Sequence, residues 1–235
     1  NFNKNSATFF EYKSATYFMS SKSSVTLWKT DGTAKNTTEI LTGKISKILP
    51  TDKAIFMEFE SDSTGRELYA TDGTAGNIKL VKDIYAGTKH STIDKMTAHN
   101  GMVYFVADDS THGKELWKSD GTTSGTVLVK DFATGTATSS INYISSFNNE
   151  LYFTAKNPSD GKNNVFKTNG SDTSFVVLED VNGDPFYSFE NVAIWDSVLY
   201  FGGNQTGKGI ELCRTNGSKS GTYMIVDLDP GTYSS

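Results

Sequence analysis

A single cysteine, Cys213, is all the thiol this chain of 235 residues carries, so no disulfide can form within it. It falls inside a strand-like run and reads as a small buried hydrophobe. Hydrophobic residues make up only 36%, and the mean hydropathy is −0.41. No stretch approaches a bilayer span, and no membrane insertion is expected. The first residues form no charged, apolar leader, so any signal peptide is expected to have been removed or to lie outside this sequence. There is no basic excess either. Twenty-two Lys and Arg face 27 Asp and Glu, for a net charge of −5. That balance argues against nonspecific nucleic-acid binding, which draws on basic surface. The three histidines, His90, His99 and His112, all fall in predicted loops without a metal-ligand spacing. HExxH, GxSxG, EF-hand and phosphate-loop motifs are missing. No cofactor and no metal are expected.

What the chain does have is a repeat. Leu27-Trp28-Lys29-Thr30-Asp31-Gly32-Thr33 returns as Leu68-Tyr69-Ala70-Thr71-Asp72-Gly73-Thr74 and as Leu116-Trp117-Lys118-Ser119-Asp120-Gly121-Thr122. Weaker copies run from Val165 to Ser171 and from Leu212 to Ser218. The aromatic slot falls at Trp28, Tyr69, Trp117, Phe166 and Cys213, at spacings of 41, 48, 49 and 47. A second phrase keeps the same beat: Thr16-Tyr17-Phe18-Met19, Ala54-Ile55-Phe56-Met57, Val103-Tyr104-Phe105-Val106, Leu151-Tyr152-Phe153-Thr154 and Leu199-Tyr200-Phe201-Gly202. A third follows the turn, as in Leu80-Val81-Lys82-Asp83 and Leu128-Val129-Lys130-Asp131.

These runs are rich in β-branched and aromatic residues and bounded by turn residues, so they read as strands. Asp-Gly and Asn-Gly between them suggest tight type I′ hairpins. A fourth run precedes each next copy. Four strands every 40–50 residues or so make one propeller blade. The expected fold is therefore all-β, a five-bladed β-propeller of about 47-residue four-stranded repeats, forming a single domain over residues 1–235. The repeats are placed at roughly 13–51, 52–99, 100–147, 148–195 and 196–235 plus 6–12. In this reading the N-terminal run around Ala7–Tyr12 supplies the missing strand of the last blade and closes the ring, removing two exposed sheet edges.

Glu115 to Phe132, ELWKSDGTTSGTVLVKDF, resembles the ELWxxDGT repeat of bacterial secreted and surface proteins. Gly113 before it and Gly135-Thr136 after it fit the same pattern. The resemblance implies an extracellular or cell-surface home and propeller-like architecture, and carries no catalytic activity with it. The first copy departs by lacking the glutamate and by being about seven residues short between Leu41 and Ala54. The fourth has Asn163-Asn164-Val165-Phe166 in place of the Glu-Leu pair.

Several residues could carry chemistry. Asp31, Asp72 and Asp120, with Asn at 169 and 216, are expected to bond backbone N–H groups of their own turns. Glu67, Glu115 and Glu211 are expected to be solvated or paired with lysines such as Lys82 and Lys130. As channel carboxylates they would instead suggest a glycoside hydrolase acting on polysaccharide, although residues that define a symmetric repeat fit poorly with two carboxylates of different roles. The longer loops, all expected on one face, are the better place for binding. They hold Tyr85, Lys89, His90, Asp109, His112, Phe186, Tyr187, Asn204 and Gln205, a mixture of rings, amides and charges suited to a sugar or peptide. The expected function is a non-enzymatic module that binds a glycan or another surface or secreted protein, or a structural component of a surface assembly.

Overall fold

The computed structural model describes residues 9–21, 24–171, 174–228 and 230–231. Among them there is no helix, and the chain is all-β. Seven strands form the first sheet in chain order: β1 (Phe9–Tyr12), β2 (Ala15–Ser21), β3 (Val25–Thr30), β4 (Thr38–Pro50), β5 (Ile55–Ser61), β6 (Gly65–Thr71) and β7 (Ile78–Lys82). Three four-stranded sheets follow, also in chain order. They are β8 (Asp94–His99) to β11 (Val127–Lys130) with β9 (Met102–Asp108) and β10 (Lys114–Ser119), then β12 (Ile144–Phe147), β13 (Glu150–Lys156), β14 (Asn163–Thr168) and β15 (Val176–Val177), and last β16 (Glu190–Trp195), β17 (Val198–Gly203), β18 (Glu211–Thr215) and β19 (Tyr223–Met224).

The seven-stranded sheet has a local cause. β4 pairs with β3 through Thr38–Gly43 and with β5 through Lys44–Pro50. The residues missing from the first repeat are those that would have separated an outer strand from the next inner one. Without them, the two run together as one 13-residue strand.

Three sequence expectations change. The pairs between each fourth run and the copy that follows it are hairpins inside a sheet. Lys13-Ser14 (φ 47° and 59°), Asn100-Gly101 (48°, 70°), Asn148-Asn149 (50°, 61°) and Asp196-Ser197 (48°, 58°) each hold two successive left-handed residues. That is the requirement of a type I′ turn, and it folds the strand before each pair onto the strand after it. The repeat frame therefore moves by one strand. Phe9–Tyr12 pairs with β2, with Phe9 opposite Phe18 and Tyr12 opposite Ala15, so it opens the first sheet instead of completing the last. Ala7, Thr8 and Tyr233–Ser235, on which closure by the N-terminal strand also rested, lie outside the described residues.

Second, the Asp-Gly hairpins are wider than a type I′ turn. Their loops run over residues 31–37, 72–77 and 120–126, and their positive-φ residues, Gly32, Gly73, Gly76 and Gly121, are never adjacent. Third, Met57, not Phe56, lies opposite Tyr69. The second copy of the inner-strand phrase is therefore Ile55-Phe56-Met57-Glu58, one residue later than the sequence match suggests.

The chain gathers into two compact units, Asn1–Thr111 with Trp117–Leu128, and His112–Leu116 with Val129–Ser235. Period-2 alternation gives the middle sheets two buried faces. In the first unit, Ile55, Met57 and Tyr69 pack with Tyr12, Tyr17 and Leu27. From the opposite side of the same strands, Phe56 and Leu68 pack with Val103, Phe105 and Trp117. The second unit is centred on Tyr152, Val165, Phe186, Phe189, Phe201 and Cys213. Cys213 is fully buried there, as expected, and burial pushes its thiol up to about 12.

Candidate functional site

The repeated glutamates are not solvated. Glu67, Glu115 and Glu211 are buried to within 1%. Each of these side chains, on β6, β10 and β18, turns inward, where it meets the backbone leaving the next strand, β7, β11 or β19. Glu67 accepts the N–H groups of Ile84 (2.9 Å) and Tyr85 (3.1 Å). Glu115 accepts those of Phe132 and Ala133, both at 3.0 Å. Glu211 accepts that of Leu228 at 3.1 Å. Their expected partners are engaged elsewhere. Lys82 donates to the Thr126 carbonyl, and the Lys130 ammonium lies 5.4 Å from the Phe132 ring. Each glutamate is a clamp that fixes the exit of a strand.

Burial pushes Glu67 and Glu115 up to about 7, with Asp83 and Asp131 adding like charge, against the N–H bonds that pull the other way. The ordinary value is 4.5. Between these two values the folded protein keeps protons that the unfolded chain releases. Stability from these groups is thus full below the unfolded value, falls as pH rises through the folded one, and is flat above it. Asp31 and Glu60, held near 2, act below that window. Urea unfolding should show the protein more stable at pH 5 than at pH 7.5, by about 1–3 kcal/mol. Equal midpoints would mean that both carboxyls titrate normally.

The turn aspartates behave as the sequence suggests. Asp31, Asp72 and Asp120 each accept the N–H two residues on at 2.9 Å, and Asn169 and Asn216 do so at 3.0 Å. Among the described residues no group of three His, Cys, Asp or Glu gathers as a metal site. His99 is not in a loop. It ends β8, is 4% exposed and packs edge-on against Tyr104.

The long-loop residues divide between the two units. In the first, the Tyr85 N–H is held by Glu67, and His90 Nδ1 accepts the Arg66 N–H at 2.9 Å. Lys89 is exposed beside it. Asp109, in the same unit, accepts the Thr111 N–H at 2.9 Å. His112 belongs to the second unit and is half-buried. Two candidates there are structural. Phe186 is fully buried in the core, so it cannot touch a ligand. Gln205 is buried, and its amide donates to Asp180 Oδ2 and the Asp184 carbonyl, both at 3.2 Å. Tyr187 and Asn204 do come together. The Tyr187 N–H donates to the Asn204 carbonyl at 3.0 Å, its hydroxyl lies 3.3 Å from Thr206 Oγ1, and Lys162 stands 5.9 Å from its ring.

A concavity lies elsewhere, at the Asp-Gly-turn ends of the strands. In the first unit a cleft of about 420 Å³ opens between β7 and the β10–β11 turn. Ala54, Ala70, Leu80 and Val81 supply apolar surface, and Thr71, Asp72, Asn77, Lys79 and Thr122 supply polar groups. Thr123 ties the two walls together by donating to the Val81 carbonyl at 2.8 Å. The second unit repeats the cleft at the same repeat positions, among Lys167, Val177, Leu178, Gly217 and Ser218, but at about 110 Å³. There Lys219 pairs with Glu179 at 3.5 Å across the narrower space. Apart from Asp72, read as a turn residue, these residues were not singled out from sequence. The signal was the threonine that follows each Asp-Gly, legible as part of a turn but not as the wall of a neighbouring strand's groove.

No protein-family model and no curated protein sequence matches the chain. Solved structures do. The β-propeller domain of the trilobed protease from Pyrococcus furiosus, which has an open velcro topology, aligns at a TM-score of 0.52 and 12% identity over 94% of this chain and 71% of that one. A puromycin-hydrolysing peptidase from Mycobacterium tuberculosis aligns at 0.58 and 13%, over 97% of this chain and 39% of its own. Prolyl oligopeptidase B from Galerina marginata aligns at 0.55 and 10%, over 92% and 33%. At such identities the likeness is one of fold, and the architecture is that of a β-propeller.

Proposed function

We propose that this β-propeller is a non-enzymatic, extracellular or cell-surface module that binds a glycan in the cleft beside β7. If β4 is counted in both of the groups it joins, the described strands make five groups of four, which supports reading them as five blades. The ELWxxDGT-like phrase from Glu115 to Phe132 supports an extracellular setting. The observation that carries the binding reading is the cleft, where an aliphatic wall of Ala70, Leu80 and Val81 faces a rim of Asp72, Asn77 and Lys79. A sugar ring needs an apolar surface for its face and mixed donors and acceptors for its hydroxyls. Asp72 is an acceptor, Lys79 a donor and Asn77 both.

A glycan array with the purified chain tests this. Lys79→Ala, which leaves the turn aspartate in place, should weaken binding to the best glycan about tenfold or more. Binding to no glycan would remove the sugar reading and leave a protein partner or a structural role in a surface assembly. Exposed Lys89 and His90 would then be the first residues to change.

One observation favours polysaccharide hydrolysis. A carboxyl held near pH 7 is what a general acid requires, and Glu67 and Glu115 meet that condition. Against it, both oxygens of each are occupied by backbone N–H groups in a site closed to solvent. Activity on a glycoside panel that disappears with Glu67→Gln or Glu115→Gln would favour the hydrolase.

A further inference from the structure

We infer that the glycan taken by the cleft beside β7 is an amino sugar, whose ammonium fills a place that a lysine of the chain fills elsewhere in the repeat. The inference rests on the glycan reading of that cleft and names its ligand class. The residue after the aromatic slot is Lys29, Lys118, Lys167 and Arg214 in four copies, and Ala70 in the second. The fourth copy shows what the lysine does. Lys167 Nζ donates to the Gly217 carbonyl, in the turn of the next sheet, and to Glu150 Oε2, both at 3.1 Å. Glu150 also accepts the Tyr152 hydroxyl at 3.1 Å. An ammonium thus joins a carboxylate to a turn carbonyl and fills the space between them.

The second copy has none of these groups. Register fixes the equivalents. Phe56 lies opposite Ala70 and Ile55 opposite Thr71, as Tyr152 lies opposite Lys167 and Leu151 opposite Thr168. The Thr51 N–H donates to the Ala54 carbonyl at 2.9 Å, closing a hairpin as Phe147 and Glu150 close theirs. Glu150, Tyr152 and Lys167 are therefore Ala54, Phe56 and Ala70 here, and Thr123 stands where Lys219 does. The ion pair and the hydroxyl are gone, and the cleft of about 420 Å³ in place of about 110 Å³ is the space they leave. What an ammonium needs is still present. Gly121, the equivalent of Gly217, lines the cleft together with Asp72. The Thr74 N–H and hydroxyl hold the Asp72 carboxyl below the usual carboxylate range, so it stays ionised at mildly acidic pH. An external ammonium at the turn carbonyl, with Asp72 as its counter-charge, repeats the bonds of Lys167 with a charge assistance that a neutral hydroxyl lacks. Lys79, exposed on a flexible stem, is left for the ring hydroxyls, and the Ala54 and Ala70 methyls for the ring face.

Isothermal titration calorimetry on the full chain tests this, with tetrasaccharides of glucosamine, N-acetylglucosamine and glucose in the same linkage. The pH is mildly acidic, where the amines are protonated and Asp72 is not. The glucosamine tetrasaccharide should bind about tenfold tighter or more than either of the others. Ala70→Lys restores the residue type of the other copies. It should unfold no earlier on heating and should lose the preference for glucosamine, because its own ammonium takes the place. Ala54→Glu supplies the carboxylate of Glu150. It should tighten the glucosamine tetrasaccharide several-fold and leave the glucose one unchanged. A glucose or acetylated tetrasaccharide that binds as tightly as the glucosamine one overturns the inference and leaves the glycan reading standing. So does a preference that survives Ala70→Lys, which would be charge attraction elsewhere on an acidic chain. Binding of none of the three, with no glycan bound on the array, overturns both.

Discussion

Replacing Glu115 by alanine should cost about 3–5 kcal/mol of stability, more than any surface change in this chain. The carboxylate accepts two buried N–H groups, from Phe132 and Ala133, and nothing else is in place to accept them. Each orphaned buried donor costs on the order of 1–3 kcal/mol, and the cavity left in the core adds to that. Phe132 depends on the clamp. It is 2% exposed and packs against Phe153, Phe166 and Phe175, so loosening its backbone loosens an aromatic cluster. Glu115→Gln should lose much less, since it keeps one acceptor oxygen and resembles the protonated form. Denaturant midpoints for both variants check this. A loss under about 1 kcal/mol in Glu115→Ala would mean that the loop finds other acceptors.

Gly65→Ala should be nearly as damaging, and Gly76→Ala should not be, although both glycines have similar backbones. Their φ values are 67° and 72°, so either substitution places a side chain in the left-handed region, worth about 1 kcal/mol. The difference lies in the surroundings. A Cβ on Gly65 would overlap the Lys89 carbonyl oxygen at 1.8 Å, whereas one on Gly76 meets nothing within 4 Å. The Lys89 backbone cannot retreat cheaply, because two residues on Ser91 is held to the Arg66 carbonyl through both its N–H and its hydroxyl, each at 3.0 Å. The expected losses are about 3 kcal/mol or more for Gly65→Ala and about 1 kcal/mol for Gly76→Ala, read from thermal or urea unfolding. Equal losses would show that the close approach is relieved by a small shift.

Much of the strand inventory was legible in the sequence, because β-branched and aromatic runs bounded by turn residues have few other solutions. The turn roles of Asp31, Asp72 and Asp120 were legible for a similar reason: a short side-chain acceptor beside a glycine nearly dictates an Asx bond. The frame of the repeat was misread because Asp-Gly and pairs such as Asn148-Asn149 are both strong turn signals. Loop length decides between them, and two residues against six or seven favours the latter pairs as the tight hairpins. Glu67 and Glu115 looked like surface residues because a charged group on an alternating strand usually is one. Their acceptance of N–H groups 17 and 18 residues ahead needed the backbone path after β7 and β11. Phe186 was placed in a loop and is one, but a loop that dips into the core. The cleft beside β7 was illegible for a simpler reason, since its two walls are about 40 residues apart in the chain.

The continuous strand β4 has a consequence for how the molecule comes apart. Elsewhere one sheet can lose its hydrogen bonds without breaking a strand of the next. Between the first two groups of strands that separation is lost, because fraying of the ladder at Thr38–Gly43 pulls directly on the ladder at Lys44–Pro50. Residues 9–82 should therefore exchange their amide protons as a single cooperative body, while later sheets can open on their own. A first repeat about seven residues shorter than the others joins its neighbour through one shared strand, and the two are expected to open together.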